Sequence, residues 1–573
     1  QGLIRILSQT SNDTVGSFEV ADGEKSVEAY SQALEDASSN LSELQDKRNR
    51  LLARAESIEG TGHPGYSGDL ADISDQIAIA DAELITLESI YASLTRSLAL
   101  DVDTGLLTND GTIKSLRSGV GGSHQINADF TQTTNGLIDV EYDLEISGLK
   151  LDLSVGAVDV AALQTLTIAA KNNTAVTTFG SALTLTGDGT ILFGGTQILD
   201  IAGPVTLPAV GPTVDLGSGT VTVTGDALTV EAGATLRLNG DAINTDLHVN
   251  GRLDVLNRTS SFTGTTFTNL GTVAIKGTES GSATFDINVG FTNDGTISLD
   301  NTDSSVEHSQ TLNVMGGAIL NNGTIMTERT GAGGTQTITG DITQSATGVI
   351  DIDHPLSLRH MALDFSLGAL DVASGVTLTI DAQDSSAVTA FAGGMFLGGG
   401  TVYFTGSQFV NFDGAPSLLT NLTFDLTDIN ATVGGAGTLQ VGATGAFLIG
   451  GGQVATPTIV NGGLLRIQDG TTTFNSSSII NNAYLHIDAT VNGNTTVNFA
   501  NGLVNDGTLT IDNIDNSSPR DINVNITGGV LDNQGTLNLE HTGAGGNVML
   551  TGMLDNSGTI NIDQNMTLNG ISI

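Results

Sequence analysis

Phe291–Leu299 read FTNDGTISL, and Leu503–Ile511 read LVNDGTLTI, at a constant offset of 212 in residue number. The same offset carries the TGAGG of Thr330–Gly334 onto Thr542–Gly546, so two long units stand in tandem. Within each unit a shorter motif, Asn-x-Gly-Thr followed by an apolar strand, recurs at short and slightly unequal intervals. Its glycines are Gly271, Gly295, Gly323, Gly507, Gly535 and Gly558. A short repeat nested in a long one predicts a solenoid of stacked coils.

The stretches between the turns indicate the kind of coil. From about residue 100 onward they are short, alternating or apolar, and bounded by Gly, Asn or Asp, which is typical of β-strands. We therefore predict a mainly β fold, a parallel β-helix (β-solenoid) of about 18 to 20 coils. Gly and Asn tolerate positive φ, which we expect at the Asn-x-Gly turns. Asn side chains at the same place on successive coils are expected to stack into a ladder.

Residues 24–98 interrupt this pattern. Apolar or tolerated residues recur there at spacings of three and four, on both sides of the helix-breaking segment Gly60–Gly68. The sequence therefore predicts an inserted antiparallel α-helical coiled-coil hairpin, in which Arg48 occupies a core position and favours one register. Such an insertion either contacts a partner or acts as a spacer.

The repeat boundaries divide the chain into four segments. Residues 1–23 are predicted to be a β-solenoid coil and 24–98 the hairpin; 99–348 include the first repeat unit, and 349–573 hold the second unit and the start of a third. Gly2–Ile6 (GLIRI) is similar to Gly463–Ile467 (GLLRI), in the middle of a unit. We expect the array to continue beyond both ends, as in a giant tandem-repeat protein.

The composition limits the partners. The 62 acidic and 19 basic residues give a formal charge of -43, which repels polyphosphates, so nucleic acid is not expected as a partner. Cysteine is absent, which rules out a disulfide or a thiol nucleophile within these residues. No run of 18 apolar residues occurs, and membrane insertion of this segment is not predicted. So high a charge favours a salt-rich exterior setting.

Catalytic residues are not predicted. The eight histidines are scattered, and those outside the hairpin face a different residue type one unit away, which favours exposed or incidental histidines. A β-helical polysaccharide lyase or depolymerase would need carboxylates with a Lys or Arg base on one face of adjacent coils. The sequence of neither unit indicates such a cluster, and aromatic residues for sugar stacking make up 4% of the chain.

One acidic motif recurs and is a candidate metal site. The sequence after one strand, DNTD, is matched by DNID at the equivalent place in the next unit. Carboxylate and amide oxygens on a loop suit calcium, although Asp and Asn are also ordinary turn formers. The candidate ligands are Asp300, Asn301, Asp303, Asp512, Asn513 and Asp515.

The Asn-x-Gly-Thr turns, with their Gly/Thr/Val-rich strands, resemble the stalk and passenger regions of large secreted bacterial adhesins, filamentous-haemagglutinin-like and autotransporter-type. The turns that carry the resemblance begin at Asn109, Asn269, Asn293, Asn321, Asn505, Asn533 and Asn556. The resemblance implies a right-handed parallel β-helix, export to the cell surface, and adhesion or surface structure. The leading hypothesis is a non-enzymatic extracellular structural or adhesive segment, whose partners are chains of the same kind or a cell-surface receptor or glycan. The alternatives are a subunit of a calcium-bridged extracellular filament or matrix, and the polysaccharide lyase.

Overall fold

A computed structural model describes residues 3–5, 42–57, 72–81, 98–116, 124–217, 219–414, 417–428 and 431–569. By internal contacts the chain divides into two units, one of Gln1–Ala227 with Gly233–Leu236 and the other of Leu228–Ala232 with Arg237–Ile573. Both units are parallel β-solenoids, and the described strands make about 19 turns in all. The predicted mainly β, parallel solenoid fold is confirmed. The four segments predicted from the repeats stay a prediction.

The strands are short, and they follow one another with few residues between them. The first are Leu3–Arg5, Leu98–Asn109, Thr112–Ser115, His124–Gln132, Leu137–Val140, Leu144–Gly148, Lys150–Val160, Thr165–Ala170, Ala175–Thr186, Thr190–Gly194, Thr196–Ala202, Val205–Leu207, Thr213–Asp215, Thr220–Gly225, Leu228–Val230 and Thr235–Leu238. Next come Ala242–Ile243, Leu247–Val249, Arg252–Leu256, Thr259–Phe262, Phe267–Asn269, Thr272–Gly277, Ala283–Ile287, Phe291–Asn293, Thr296–Asn301, Gln310–Asn321, Thr324–Glu328, Gln336–Gln344, Val349–Ile352, Leu356–His360, Ala362–Asp364, Ala369–Val372 and Thr377–Ala382. These are followed by Val388–Phe391, Met395–Gly398, Thr401–Thr405, Phe409–Phe412, Ser417–Leu419, Thr423–Leu426, Ala431–Gly434, Thr438–Val441, Ala446–Ile449, Gly452–Val454, Thr458–Asn461, Leu464–Gln468 and Gly470–Phe474. The last are Ser478–Asn481, Tyr484–Ala489, Thr495–Phe499, Leu503–Asn505, Thr508–Asn513, Ile522–Ile526, Leu531–Asn533, Thr536–Glu540, Val548–Thr551, Leu554–Asn556, Thr559–Ile562 and Met566–Asn569.

Each strand pairs in parallel with the equivalent strand of the next coil. In the contact unit that contains Arg237–Ile573, Thr272–Gly277 pairs with Thr296–Asn301, which pairs with Thr324–Glu328. In the contact unit that contains Gln1–Ala227, Thr165–Ala170 pairs in the same way with Thr190–Gly194. Because side chains alternate across a strand, one set enters the coil interior and the other faces outward.

The interior is filled by the inward set. Leu, Ile and Val dominate it, and phenylalanines cluster in some coils, where the ring centroid of Phe391 lies 5.6 Å from that of Phe412 and 5.4 Å from that of Phe424. Phe474 and Phe499 stack on adjacent coils with their ring centroids 5.2 Å apart. Burial of these side chains is the main stabilising contribution, at about 25 cal/mol per Å² of apolar surface.

Two helices are described, at 42–57 and 72–81. They lie in the sequence between Leu3–Arg5 and Thr112–Ser115, two strands that pair in parallel. Arg48 Nε lies 2.5 Å from Asp81 Oδ1, which joins the two helices by an ion pair.

The helices fit the predicted seam where they are described. Leu44, Arg48, Leu51 and Ala55, at the expected spacing, are half-buried in the first helix, as is Leu52, and Ile73 is buried in the second. The rest of the seam and the Gly60–Gly68 turn lie outside the described residues. The coiled-coil hairpin as a whole therefore stays a prediction.

The glycines of the Asn-x-Gly turns are required for a different reason from the predicted one. None of these six glycines has positive φ. A Cβ on Gly295 would lie 2.1 Å from the carbonyl oxygen of Gly271 one coil earlier, and a Cβ on Gly323 would lie 2.0 Å from that of Gly295. The prediction of left-handed backbone at these turns was wrong, because close approach of stacked backbones excludes a side chain there.

The asparagines that begin these turns form the predicted ladder. Asn269 Nδ2 donates to Asn293 Oδ1 at 2.6 Å, and Asn293 Nδ2 donates to Asn321 Oδ1 at 2.7 Å. Asn321 then donates to Gln344 Oε1 at 2.9 Å. A second ladder runs through Asn461, Asn481, Asn505, Asn533 and Asn556, with amide-to-oxygen distances of 2.5 to 2.7 Å. Most of these amides are fully buried, and each links one coil to the next.

Candidate functional site

The first copy of the predicted acidic motif is a buried loop fastened by the chain itself. Asp300 accepts hydrogen bonds from Thr330 N at 3.0 Å and Thr330 Oγ1 at 2.6 Å. Asn301 Nδ2 donates to Val306 O at 2.8 Å and to Gly333 O at 2.6 Å. The side chains therefore connect this loop to the TGAGG loop of the following coil.

Asp303 closes the same loop on itself. Its Oδ1 accepts from Ser305 N at 2.8 Å and Ser305 Oγ at 2.7 Å, and its Oδ2 lies 3.2 Å from His308 Nε2. The Ser305 hydrogen bonds are the main cause that lowers the pKa of Asp303 below its ordinary value. Asp303 is thus an ionised side chain with donors on both oxygens.

The second copy repeats these contacts. Thr542 donates from its backbone nitrogen, at 3.0 Å, and from its hydroxyl to Asp512. Asp515 accepts from Ser517 N at 2.7 Å and from Arg520 Nε at 2.9 Å. The hydrogen bonds from Ser517, helped by Arg520, lower the pKa of Asp515 to about 2. Asn513 donates to the carbonyl of Gly545, as Asn301 does to that of Gly333.

The TGAGG sequence is explained by this loop pairing. Ala332 N donates to Asp303 O at 2.7 Å, and Ala544 N donates to Asp515 O at the same distance. A Cβ on Gly331 would lie 2.2 Å from Asp303 O. The two loops are therefore in contact through their backbones, which requires glycine.

The metal prediction is not decided by this geometry. All six candidate residues are at least 95% buried, and their side chains already have partners within the chain. The described residues contain no group of three or more His, Asp or Glu arranged to hold a metal ion. The Oδ1 atoms of Asp303 and Asp515 each accept two hydrogen bonds, whereas Oδ1 of Asp300 and Oδ1 of Asp512 each accept one and keep a lone pair. Calcium at these loops stays a prediction.

A groove lies beside the second loop, on the outward face of four successive coils. Tyr484, Thr508 and Thr536 are register partners along one column. Four residues further along each strand, a second column brings three carboxylates together, Asp488, Asp512 and Glu540, at the spacing of about 4.8 Å between parallel strands.

The groove has a volume of about 460 Å³ and mixed chemistry. Arg466, Tyr484, His486 and Glu540 line it, and Ile514 of the adjacent loop forms part of its wall. Tyr484 is 58% exposed, which gives the groove an accessible aromatic ring.

Asp488 is the most unusual carboxyl of the groove. It is 2% exposed, and its Oδ2 lies 2.7 Å from Arg466 Nε. Burial raises the pKa of Asp488 above its ordinary value, Arg466 offsets part of that rise, and the neighbouring Asp512 adds to it. A buried carboxyl of this kind in a groove marks a candidate functional site.

The equivalent place in the preceding repeat also carries an ion pair. Asp254 and Lys276 occupy the positions that Arg466 and Asp488 have in the later unit, and Lys276 Nζ lies 3.2 Å from Asp254 Oδ1. The same diagonal pair therefore occurs in both repeats with its charges exchanged. Arg252 Nε adds a second cation 2.8 Å from Asp254 Oδ1.

The histidines lie in different surroundings. His360 is fully buried, 3.3 Å from Thr389 Oγ1, and burial lowers its pKa to about 4. His354 is 7% exposed. Of the predicted exposed or incidental histidines, these two are buried, whereas His486 lines the groove.

The carboxylate cluster near Arg466 was not predicted, because the sequence of neither repeat unit indicates it. Asp512 and Glu540 each lie four residues after the threonine that follows a turn glycine, Thr508 and Thr536. Asp488 lies four residues after Tyr484, which occupies the same place in its strand. Coils of unequal length hid this alignment from a search at a fixed period.

Comparison with family models, with curated proteins and with solved structures finds no match to this chain. In the part of the chain that the structure describes, no helix is long and apolar enough to cross a membrane.

Proposed function

We propose that this chain is a non-enzymatic extracellular segment of a giant tandem-repeat surface protein, with a structural or adhesive role. The observation that carries the proposal is the buried amide ladder, which connects consecutive coils by side chains without a cofactor. Such internal fastening suits a protein that must stay ordered outside the cell. The acidic surface is compatible with a salt-rich setting.

The loops and the helical insertion are the parts that supply contacts under this proposal. Loops on a regular scaffold commonly carry recognition, because the scaffold positions them while their sequences vary. Chains of the same kind, or a receptor or glycan on a cell surface, are the partners. A calcium-bridged filament is the form of assembly that the Asp300 and Asp512 loops would favour.

The test is electron microscopy of the purified chain with attachment to cells, each with calcium and with a chelator. Saturable attachment, or ordered filaments, supports the structural or adhesive role. Filaments that dissolve with chelator support calcium bridging, and filaments that persist contradict it. A chain that neither attaches nor assembles under any of these conditions overturns the proposal.

A polysaccharide-degrading enzyme is the second candidate, favoured by the buried carboxyl of Asp488 beside Asp512 and Arg466. A carboxyl whose pKa is raised by burial suits proton donation to a leaving oxygen. Incubation with a polysaccharide panel, followed by assay of new reducing ends, tests this candidate. New ends that are absent with Asp488→Asn would replace the non-enzymatic proposal.

A further inference from the structure

The groove of residues 464–540 has the composition of a saccharide site. Its exposed Tyr484 ring offers an apolar face, on which the C–H face of a sugar ring packs. Its volume of about 460 Å³ falls within the range of small-ligand sites, about 300 to 1,000 Å³. The groove is therefore large enough for a short oligosaccharide segment.

The polar groups of the groove are arranged as acceptors and donors for hydroxyls. Glu540 and His486 form no side-chain hydrogen bond within the part of the chain that the structure describes, so both can bond to a ligand. Arg466 retains N–H groups beyond the one that contacts Asp488. Carboxylates accept strong hydrogen bonds from hydroxyl groups, which a sugar supplies in pairs.

Charge selects among saccharides. Asp488, Asp512 and Glu540 outnumber Arg466, so the groove is net negative when these groups are ionised. The whole chain adds a formal charge of -43. Uronate-bearing and sulfated sugars are repelled by such a field, whereas a neutral sugar is not.

Two groups that line the groove, the Tyr484 ring and the His486 imidazole, occur in one repeat and not at the equivalent positions of the preceding one. The positions of Tyr484 and His486 are occupied in the preceding unit by Thr272 and Ala274, neither of which offers a ring or a titratable group. The coil itself is the same, because Thr272 and Tyr484 both begin the strand that follows a turn. The aromatic ring and the imidazole are thus additions to a common scaffold.

We propose that the groove of Arg466, Tyr484, His486, Asp488, Asp512 and Glu540 binds a neutral saccharide. This inference rests on the proposed adhesive function and names the ligand class of one contact surface. Tyr484 is the stacking platform, and Glu540 and His486 bond to the sugar hydroxyls. At the floor of the groove, the ion pair with Asp488 holds the Arg466 guanidinium in position.

The test is binding of the full chain to an array of neutral and uronate-bearing oligosaccharides, followed by titration calorimetry. Cellotetraose, maltotetraose, mannotetraose and tetragalacturonate are the titrated probes. We expect at least one neutral saccharide to bind saturably and tetragalacturonate to bind at least about tenfold more weakly.

The matched variant is Tyr484→Thr with His486→Ala, which installs the residues that the chain itself carries at Thr272 and Ala274. Because the same coil tolerates them there, the variant is expected to keep its circular dichroism spectrum and melting temperature. Its affinity should fall at least about tenfold, and Glu540→Gln should weaken binding in the same assay.

Three results overturn the inference: no neutral saccharide binds, tetragalacturonate binds best, or the double variant binds as well as the unmodified chain. If the double variant fails to fold, Glu540→Gln decides alone, and unchanged binding by it overturns the inference. Loss of this inference leaves the structural or adhesive role intact, since attachment and assembly are measured separately.

Discussion

Replacing an asparagine inside the amide ladder, such as Asn293, should cost more stability than replacing the first one, Asn269. Asn293 accepts from Asn269 at 2.6 Å and donates to Asn321 at 2.7 Å and to Thr324 O at 3.2 Å. Replacing it with Val leaves a buried N–H of Asn269 and a buried oxygen of Asn321 without partners. Each unsatisfied buried group costs about 1–3 kcal/mol, so Asn293→Val should destabilise its coil by about 2–5 kcal/mol.

Asn269→Val is the matched control. Asn269 is equally buried, but its Oδ1 already lacks a partner, and its neighbour in the preceding coil is Val249. This substitution removes the amide donor of Asn293 Oδ1 and of Thr296 O, as Asn293→Val does for Asn321 Oδ1 and Thr324 O, but it leaves no N–H without an acceptor and removes an unsatisfied atom. We expect it to cost about 1–2 kcal/mol, clearly less than Asn293→Val.

Hydrogen exchange measured by mass spectrometry is the suitable assay, because coils of a solenoid can open locally instead of in one global step. Peptides covering 267–277, 291–301 and 319–328 report the coil of Asn269, the coil of Asn293 and the coil that follows it. Greater loss of protection in Asn293→Val than in Asn269→Val is the expected result. Equal losses, or a larger loss in Asn269→Val, would refute the reasoning that the cost comes from orphaned amides.

Three further outcomes follow from the structure. Met326→Lys should stabilise the chain by about 0.5–1 kcal/mol at pH 7. Met326 is the register partner of Asp351, and in the equivalent pair one repeat earlier Lys114 Nζ lies 2.8 Å from Asp139 Oδ2. An unchanged melting temperature would contradict this. Arg466→Asp should lower the free energy of unfolding by about 3 kcal/mol, measured by chemical denaturation. Adding Asp488→Lys should restore most of this loss, since the earlier repeat has Asp254 and Lys276 at these positions. Additive losses in the double variant would show that the charges cannot be exchanged. Burial lowers the pKa of His360 to about 4, so the unfolded chain binds a proton at higher pH than the folded chain does. The free energy of unfolding should therefore fall by roughly 3 kcal/mol as the pH drops from about 6.5 to 4. His360→Leu should remove this loss, and an unaltered pH profile of stability would count against it.

The repeat was enough to predict the stacked coils, because Asn-x-Gly-Thr marks the same corner in each of them. The ladder also followed from the sequence, since a buried Asn on consecutive coils has few other partners available. The reason for the glycines did not follow. The sequence indicates that glycine is needed at Gly295. Only the structure, in which a Cβ at Gly295 would lie 2.1 Å from Gly271 O, shows that the cause is backbone contact and not left-handed φ.

The acidic motif illustrates a second limit. From sequence, Asp300 and Asp303 could be cation ligands or turn formers, and both interpretations use the same oxygens. The structure places Thr330 and Ser305 on those oxygens, residues that lie 30 and 2 positions away. The distant partner belongs to the next coil, so no local pattern could have identified it.

The carboxylates near Arg466 were missed for a related reason. Asp488 and Asp512 become neighbours only when the strands that carry them are aligned from their first residues, Tyr484 and Thr508. Loops of different length precede those strands, which removes any fixed spacing along the chain. Side-chain columns of a solenoid are visible in sequence only after the coils have been aligned by their corners.

Every amide in the two ladders donates toward the coil of higher residue number, from Asn269 to Gln344 and from Asn461 to Asn556. Their dipoles therefore add along each column in place of cancelling, and each column has a polarity. An extra coil introduced ahead of Asn269 could supply the hydrogen that its oxygen lacks, whereas the same coil turned upside down could not. Side-chain polarity thus gives the stack a sense of direction that is independent of the parallel strands.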